Sequence, residues 1–190
     1  MGALGSGQTV VLRDARASDL GNYVHWQAAG LWQRFDAPWE RRLDNAEAAA
    51  ERFRWLFLDE PRPVPRQRAI VARTGGEVGE AVGWVVRYGH EEDRFPEAWK
   101  VGINIGEDAC LDRGMGTEAL GLWVDYLFTH SEVHRIGFST YDFNPRMVAV
   151  GRKLGFCHEG TDREVIHWQG RWVDRLHFGV LRSEWLARPR

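Results

Sequence analysis

The residues with the clearest chemical signature run from Val101 to Ala119, in the order Val101-Gly-Ile-Asn-Ile-Gly-Glu-Asp-Ala-Cys-Leu-Asp-Arg-Gly-Met-Gly-Thr-Glu-Ala119. An apolar run ends at Ile105, Gly114 and Gly116 follow, and a helical apolar pattern starts at once. A strand that turns through glycines into a helix leaves backbone N–H groups of the first turn without partners. Those groups, with the helix dipole, bind anions, and glycine puts no side chain in the way of a phosphate. The segment has no Gly-Lys-Ser/Thr, which excludes a Walker-type loop. Position 119 is Ala where a dinucleotide fingerprint needs a third glycine, and the next glycine is Gly121. Taken alone, a glycine pair before a helix is more often a plain turn, so the segment must be weighed with its surroundings.

Other groups that do chemistry are sparse. Cys110 and Cys157 are the two cysteines and give no disulfide framework. His130 and His134 flank a turn without a His-x-x-x-His or Cys-x-x-Cys partner set, so no metal site is expected.

The elements that position the 101–119 segment are readable from pattern. Val10-Val-Leu12 reads as a first strand, and a helix opens at Ser18-Asp-Leu-Gly with Ser18 or Asp19 as its cap. An aromatic stretch holding Trp26, Trp32, Phe35 and Trp39 breaks at Pro38. Residues 45–58 repeat apolar side chains at helical spacing, with Asn45 placed to cap. Strand-like runs follow at 69–72, 81–86 and 99–105, the first ending in a hairpin signal at Gly75-Gly76, and a loop through Pro96 precedes the third. A long amphipathic helix is predicted over 115–129, with Leu120, Trp123, Val124, Leu127 and Phe128 as its stripe. A strand at 135–140 leads into a helix that starts at Asn144-Pro145 and stops before Gly155. Two strands, 163–168 and 171–181, close the chain around Gln169-Gly170. This order predicts a mixed α/β sheet covered on both faces.

Taken together, several motifs resemble the GNAT superfamily of N-acetyltransferases. Ile103-Asn-Ile-Gly106 through Arg113-Gly-Met-Gly-Thr-Glu-Ala-Leu120 is similar to that superfamily's acetyl-CoA pyrophosphate loop. His134-Arg-Ile136, Asn144 and Lys153-Leu-Gly-Phe156 follow in the family's order. Glu159-Gly160, Arg163, Gly170-Arg171, Asp174 and Leu181-Arg-Ser-Glu-Trp185 resemble the C-terminal hairpin of its RimJ/RimL-like branch, which holds ribosomal-protein and polyamine acetyltransferases. The match is close over roughly the last ninety residues and holds in outline before them.

The resemblance implies an α/β fold with a mixed sheet of about seven strands and helices on both faces. It implies that strands 4 and 5 splay apart to admit acetyl-CoA as cosubstrate. Backbone groups near Ile103, Asn104 and Ile105 would pair with the pantetheine arm. Amides and neighbours of Leu111, Asp112, Arg113, Gly114, Met115, Gly116 and Thr117 would hold the pyrophosphate, and Asn144 would meet the arm near the thioester. The implied reaction is acetyl transfer to a primary amine, whether a protein N-terminus, a polyamine or another small amine. Attack would be direct, within a ternary complex. Tyr141 and Ser139 are candidate proton donors, and Asp142, Asp36 and Glu40 are candidate bases.

The chain departs from the family in two places. The loop carries Leu111 where relatives have Arg or Gln, and Asp112 where Gly is common. Gly151 and Met147 stand where relatives place a Tyr and a Ser as acids, so both usual proton donors are missing. A tyrosine at 151 is expected to restore an acid if its ring fits. The second reading, set by this double absence, is a non-catalytic acyl-CoA-binding sensor. In the family, the region of Trp26, Trp32, Trp39 and Trp55 walls the acceptor side. Trp32 and Trp39 are assigned to an aromatic pocket, and Trp55 to the core.

Composition bounds the rest. The 190 residues are 44% hydrophobic and 27% charged with net charge -2, an ordinary globular mix. This excludes a large phosphate-clamping surface for nucleic acid, and no apolar run approaches a membrane span. Met1-Gly-Ala-Leu-Gly-Ser6 matches a myristoylation pattern but reads as a chance match in a flexible tail, 1–8, before one domain over 9–187. With only Lys100 and Lys153 as lysines, the arginine bias points to a GC-rich bacterial genome and a cytoplasmic protein. A homodimer fits the branch.

Overall fold

Runs such as Ala69-Ile-Val-Ala72 and Ala81-Val-Gly-Trp-Val-Val86 lack polar alternation, as strands buried on both faces should. The computed structural model, which describes residues 3–40, 45–59, 63–75, 79–88 and 98–188, places both runs inside a sheet. The elements in chain order are β1 (Gly5–Ser6), β2 (Val10–Arg13), α1 (Leu20–Ala29), α2 (Ala46–Phe53), β3 (Arg68–Arg73), β4 (Ala81–Tyr88) and β5 (Ala98–Ile105). They continue with α3 (Met115–Thr129), β6 (Arg135–Tyr141), α4 (Pro145–Lys153), β7 (Cys157–Trp168), β8 (Arg171–Leu181) and α5 (Arg182–Leu186). Among the described residues the sheet has eight strands, in the order β1-β2-β3-β4-β5-β6-β8-β7.

Each face of the sheet carries its own core. On one side Val10, Leu12, Val71 and Ile136 pack with Leu120, Trp123 and Leu127 of α3. On the other, Ile70, Ala72 and Trp84 pack with Tyr23 and Trp26 of α1 and Phe53 of α2. Burying a large apolar side chain contributes about 1.5–3 kcal/mol, so these two layers fix the sheet against its helices.

Several local readings shift. The segment expected to be a flexible tail supplies β1, which pairs Gly5 with Leu12 and Ser6 with Val11, and Leu4 packs against the α3-side core. Glu118 of α3 anchors it by accepting from the Thr9 and Val10 N–H groups at 2.9 and 3.1 Å and from the Gln8 N–H and Thr9 hydroxyl. Burial raises that carboxyl's pKa, but the Thr9 hydroxyl and the backbone N–H groups outweigh it and hold it below the ordinary value. Asp19 stands at the α1 cap position, but its carboxylate turns to Arg13 in a buried pair, 2.8 Å at both oxygens. Asn45 does cap α2, accepting from Ala48 N–H at 2.8 Å.

Trp55, assigned to the core, is 59% exposed. The helix winds into π geometry over Arg54–Asp59, which changes the angular step per residue and rotates the face. Gly76, Pro96 and Met1-Gly2 lie outside the described residues. Among those described, no helix is long and apolar enough to cross a membrane.

The feature that positions the site is a break in the sheet. All strand pairs are antiparallel except β5 with β6, which run parallel and pair only at Ala98–Arg135, Trp99–Ile136 and Lys100–Gly137. Past this point β5 stays with β4 as far as Ile105, and β6 stays with β8 as far as Tyr141. The facing edges of 101–105 and 138–141 therefore part. The extra strand β1 moves the count by one, so the splayed pair is the fifth and sixth strands rather than the fourth and fifth.

Candidate active site

The gap between β5 and β6 opens a cavity of ≈ 710 Å³, within the range of small-molecule sites. Its walls are the two parted strands, the loop before α3, the start of α4 and the segment around Phe35.

The loop before α3 closes one end of the cavity. After Ile105 the chain forms a 3-10 turn, Asp108–Cys110, and the Leu111 N–H donates to the Asp108 carbonyl at 3.1 Å. Leu111 therefore has no amide left to offer, contrary to the expectation. Asp112 (φ 60) and Gly114 (φ 80) then adopt left-handed backbone, and α3 begins at Met115. Its first N–H with an intramolecular acceptor is Glu118, bonded to the Gly114 carbonyl at 3.1 Å. Among the described residues, the N–H groups of 112–117 meet no acceptor.

Asp112 is engaged within the protein. Its carboxylate is held in a bidentate pair by Arg146 of α4, at 2.9 and 2.7 Å, and Arg146 also lies 5.0 Å from the Phe35 ring. The Arg146 hydrogen bonds keep the Asp112 carboxyl below its ordinary pKa. Asp112→Gly should tighten CoA binding several-fold at low salt. It removes a negative charge, frees a guanidinium and puts glycine where φ is positive. The gain should shrink as salt rises. Calorimetric titration with CoA at two ionic strengths measures this, and weaker binding by the variant would refute it.

Of the residues expected at the CoA site, Ile103, Asn104, Ile105, Leu111, Asp112, Gly114, Gly116, Thr117 and Asn144 line the cavity. Arg113 and Met115 do not; Arg113 is exposed and Met115 packs against the α3-side core. Asn144 Oδ1 caps α4 by accepting from Met147 N–H at 3.1 Å, while its Nδ2 donates to the Phe35 carbonyl at 3.4 Å. It thus ties α4 to the 31–35 segment at the cavity's edge.

The segment around Phe35 places Trp32 and Asp36 in the wall. Trp32 is nearly buried, its Nε1 donating to the Trp26 carbonyl at 3.0 Å and its ring edge-on to Trp84. Trp39 is not in the wall. It packs edge-on against Tyr141, Phe143 and Trp168 and so buttresses Tyr141. Tyr141 lines the cavity, and burial, then the negative Glu40 and Asp36, outweigh Arg175 and raise its pKa. Its hydroxyl is therefore protonated at neutral pH. Asp142 falls outside the cavity. Arg171 holds it bidentately at 2.7 and 3.0 Å and lowers its pKa, so its carboxylate is engaged away from the cavity.

Gly151 is buried on α4, and a Cβ there would meet Phe138 Cζ at 2.5 Å. The position faces aromatic core and has no open slot for a ring. One cluster escaped sequence reading: His177, never singled out, lies across from Ser139, with Asp162 beyond it. The only local signal was polar side chains on neighbouring strands, which does not reveal who pairs with whom. Among the described residues no three of His, Cys, Asp and Glu gather as a metal site.

Comparison with known proteins bears on this site. The family model described as "Acetyltransferase (GNAT) domain" matches residues 9–157. A putative ribosomal N-acetyltransferase, YdaF of Bacillus subtilis, is 25% identical over 96 residues, 50% of this chain and 52% of that protein. The probable N-acetyltransferase YjcK of the same organism is 33% identical over 72 residues, 38% of this chain and 40% of that protein. The match spans about half or less of these relatives' lengths. A GNAT-family acetyltransferase from Bacillus anthracis superposes with TM-score 0.74 at 17% identity, covering 95% of this chain and 99% of that one. Spermidine N-acetyltransferase from Vibrio cholerae, in complex with CoA and spermine, gives 0.69 at 19%, covering 93% and 98%. At these identities the structural likeness shows the fold.

Proposed function

Because the chain belongs to the GNAT acetyltransferase family, we propose that it transfers acetyl from acetyl-CoA to a primary amine by direct attack within a ternary complex. The observation that carries this reading is the parting of β5 and β6 beside a helix start whose N–H groups have no acceptor among the described residues. The pyrophosphate would rest on the amides of 112–117. The pantetheine arm would pair, strand-like, with the open edge near Ile103 and Ile105. Holding both reactants in the gap supplies much of the barrier reduction by positioning.

The acceptor enters from the side of Trp32, Asp36 and Tyr141. Asp36 in the wall and Glu40 near Tyr141 favour a cationic acceptor. Protein N-termini, polyamines and other small amines all meet that description. The spermidine acetyltransferase among the structural neighbours supports testing polyamines first. Thiol release from acetyl-CoA is to be followed with spermidine, a peptide with a free α-amine and an aminoglycoside. At least one amine should accelerate release and appear acetylated by mass spectrometry. Tight CoA binding with no amine-dependent release would overturn the enzyme reading in favour of a non-catalytic acyl-CoA-binding sensor.

A further inference from the structure

Ser139 of β6 pairs directly across the sheet with His177 of β8, and its Oγ lies 2.9 Å from His177 Nδ1. The other ring nitrogen, Nε2, lies 2.9 Å from Asp162 Oδ2 of β7. Arg175 donates to the same Asp162 oxygen from Nε at 3.0 Å and Nη2 at 2.8 Å. Ser139 and Arg175 are walls of the cavity, whereas Asp162 is exposed to solvent at the far end. The chain of contacts therefore starts at the cavity wall and ends in solvent.

The partners settle where the protons are. His177 and then Arg175 hold the Asp162 carboxyl below its ordinary pKa, so it is ionised and accepts only. Facing an ionised Asp162, Nε2 is the donor, and in the neutral ring that tautomer turns the Nδ1 lone pair to the serine hydroxyl. In that tautomer Ser139 donates to Nδ1, and Ser139 itself lines the cavity. A hydroxyl backed by an imidazole that a carboxylate orients is the arrangement that moves protons in acyl transfer. The conventional acid positions on α4 are Gly151 and Met147 and carry none.

We propose that Ser139, His177 and Asp162 form the proton relay of acetyl transfer, a proposal that rests on the acetyltransferase reading above. The acceptor, bound as a cation, first gives one proton to solvent; the neutral amine nitrogen then bonds to the acetyl carbon and gains positive charge. Its proton passes to Ser139 Oγ while the serine proton passes to His177 Nδ1. The C–S bond then breaks, and the same proton returns through Ser139 to the CoA sulfur. Neutral amine and thioester become amide and thiol with no further proton gained or lost. Ser139 is the catalytic residue; His177 and Asp162 position and charge it.

The test uses the full chain with acetyl-CoA and spermidine, or the α-amine peptide if that is the better substrate. Ser139→Ala and His177→Gln should each lower kcat by about 10²-fold or more, with KM for acetyl-CoA unchanged. The double variant should be no slower than either single one, because the two act as a unit. Ser139→Thr, which keeps a hydroxyl, should recover most of the rate. Unchanged kcat in the single variants, or losses that multiply in the double variant, would overturn the relay while leaving acetyl transfer standing. An acetyl group trapped on Ser139 would overturn it in favour of a covalent route. Absence of amine-dependent turnover in the unaltered protein would remove both readings together.

Discussion

Gly114→Val should weaken CoA binding by roughly 10²–10⁴-fold and leave the fold in place. Gly114 sits at φ 80 where α3 begins, and a Cβ there meets nothing within 4 Å. The penalty is therefore conformational rather than steric. Left-handed backbone costs a non-glycine residue about 1–2 kcal/mol, and a β-branched side chain tolerates it least. The loop would relax out of that conformation and turn its N–H groups away from a common point. Charge-assisted hydrogen bonds contribute about 1.5–3 kcal/mol each. Losing two removes on the order of 3–6 kcal/mol, which sets the fold-change above. Leu111→Ala should stay within a few-fold of the unaltered protein, since its amide already serves the Asp108 carbonyl. Calorimetric titration with CoA, alongside circular dichroism for folding, separates these outcomes. Unchanged affinity in Gly114→Val would sink the main-chain anion site.

Gly151→Tyr should abolish stable folding instead of restoring a proton donor. The Cβ alone would lie 2.5 Å from Phe138 Cζ and 3.1 Å from Cε1, with Phe178 behind. Phe138 is itself stacked on Phe178 and edge-on to Phe156, so it has no free direction to yield. Overpacking of a filled core typically costs about 1–3 kcal/mol for small additions. Against a total stability of about 5–15 kcal/mol, a whole phenol ring is a severe load. Gly151→Ala offers the graded control. Helix propensity favours it by about 0.5–1 kcal/mol, but the clash should win and lower Tm by a few degrees. Thermal unfolding followed by circular dichroism gives the answer. A well-folded Gly151→Tyr protein with raised turnover would show that α4 can rotate this position into the gap.

Some of this molecule was legible in the sequence because its signals are local. The 115–129 helix was read to the residue, since its apolar stripe repeats at 3.6 and Gly114 marks its start. Pro145 at the first turn and Gly155, with φ 78, bracketed α4 for the same reason. Gln169-Gly170 turned β7 into β8 with both residues at positive φ, as a two-residue hairpin with Gly at its second position favours. Even local signals failed where geometry changed underneath them: the π turn over Arg54–Asp59 carried Trp55 outward.

The remaining decisions were made by pairing across the sheet, which the chain's linear order does not encode. Which strands part is set by how far β5 and β6 stay in register, and that ends after three residue pairs. Asp142 and Arg171, 29 residues apart, meet in an ion pair that holds the carboxylate outside the cavity. Asp112 and Arg146, 34 apart, meet across the loop and change what that aspartate does there. Ser139 and His177, 38 apart, meet only because β6 and β8 adopt one register; a slip of one residue would send each to the opposite face. Backbone propensity and glycine placement thus marked the loop before α3 from the sequence alone. The side-chain pairs around the proposed relay were decided by tertiary structure, because a side chain's charge state and direction depend on neighbours that only folding brings within hydrogen-bond reach.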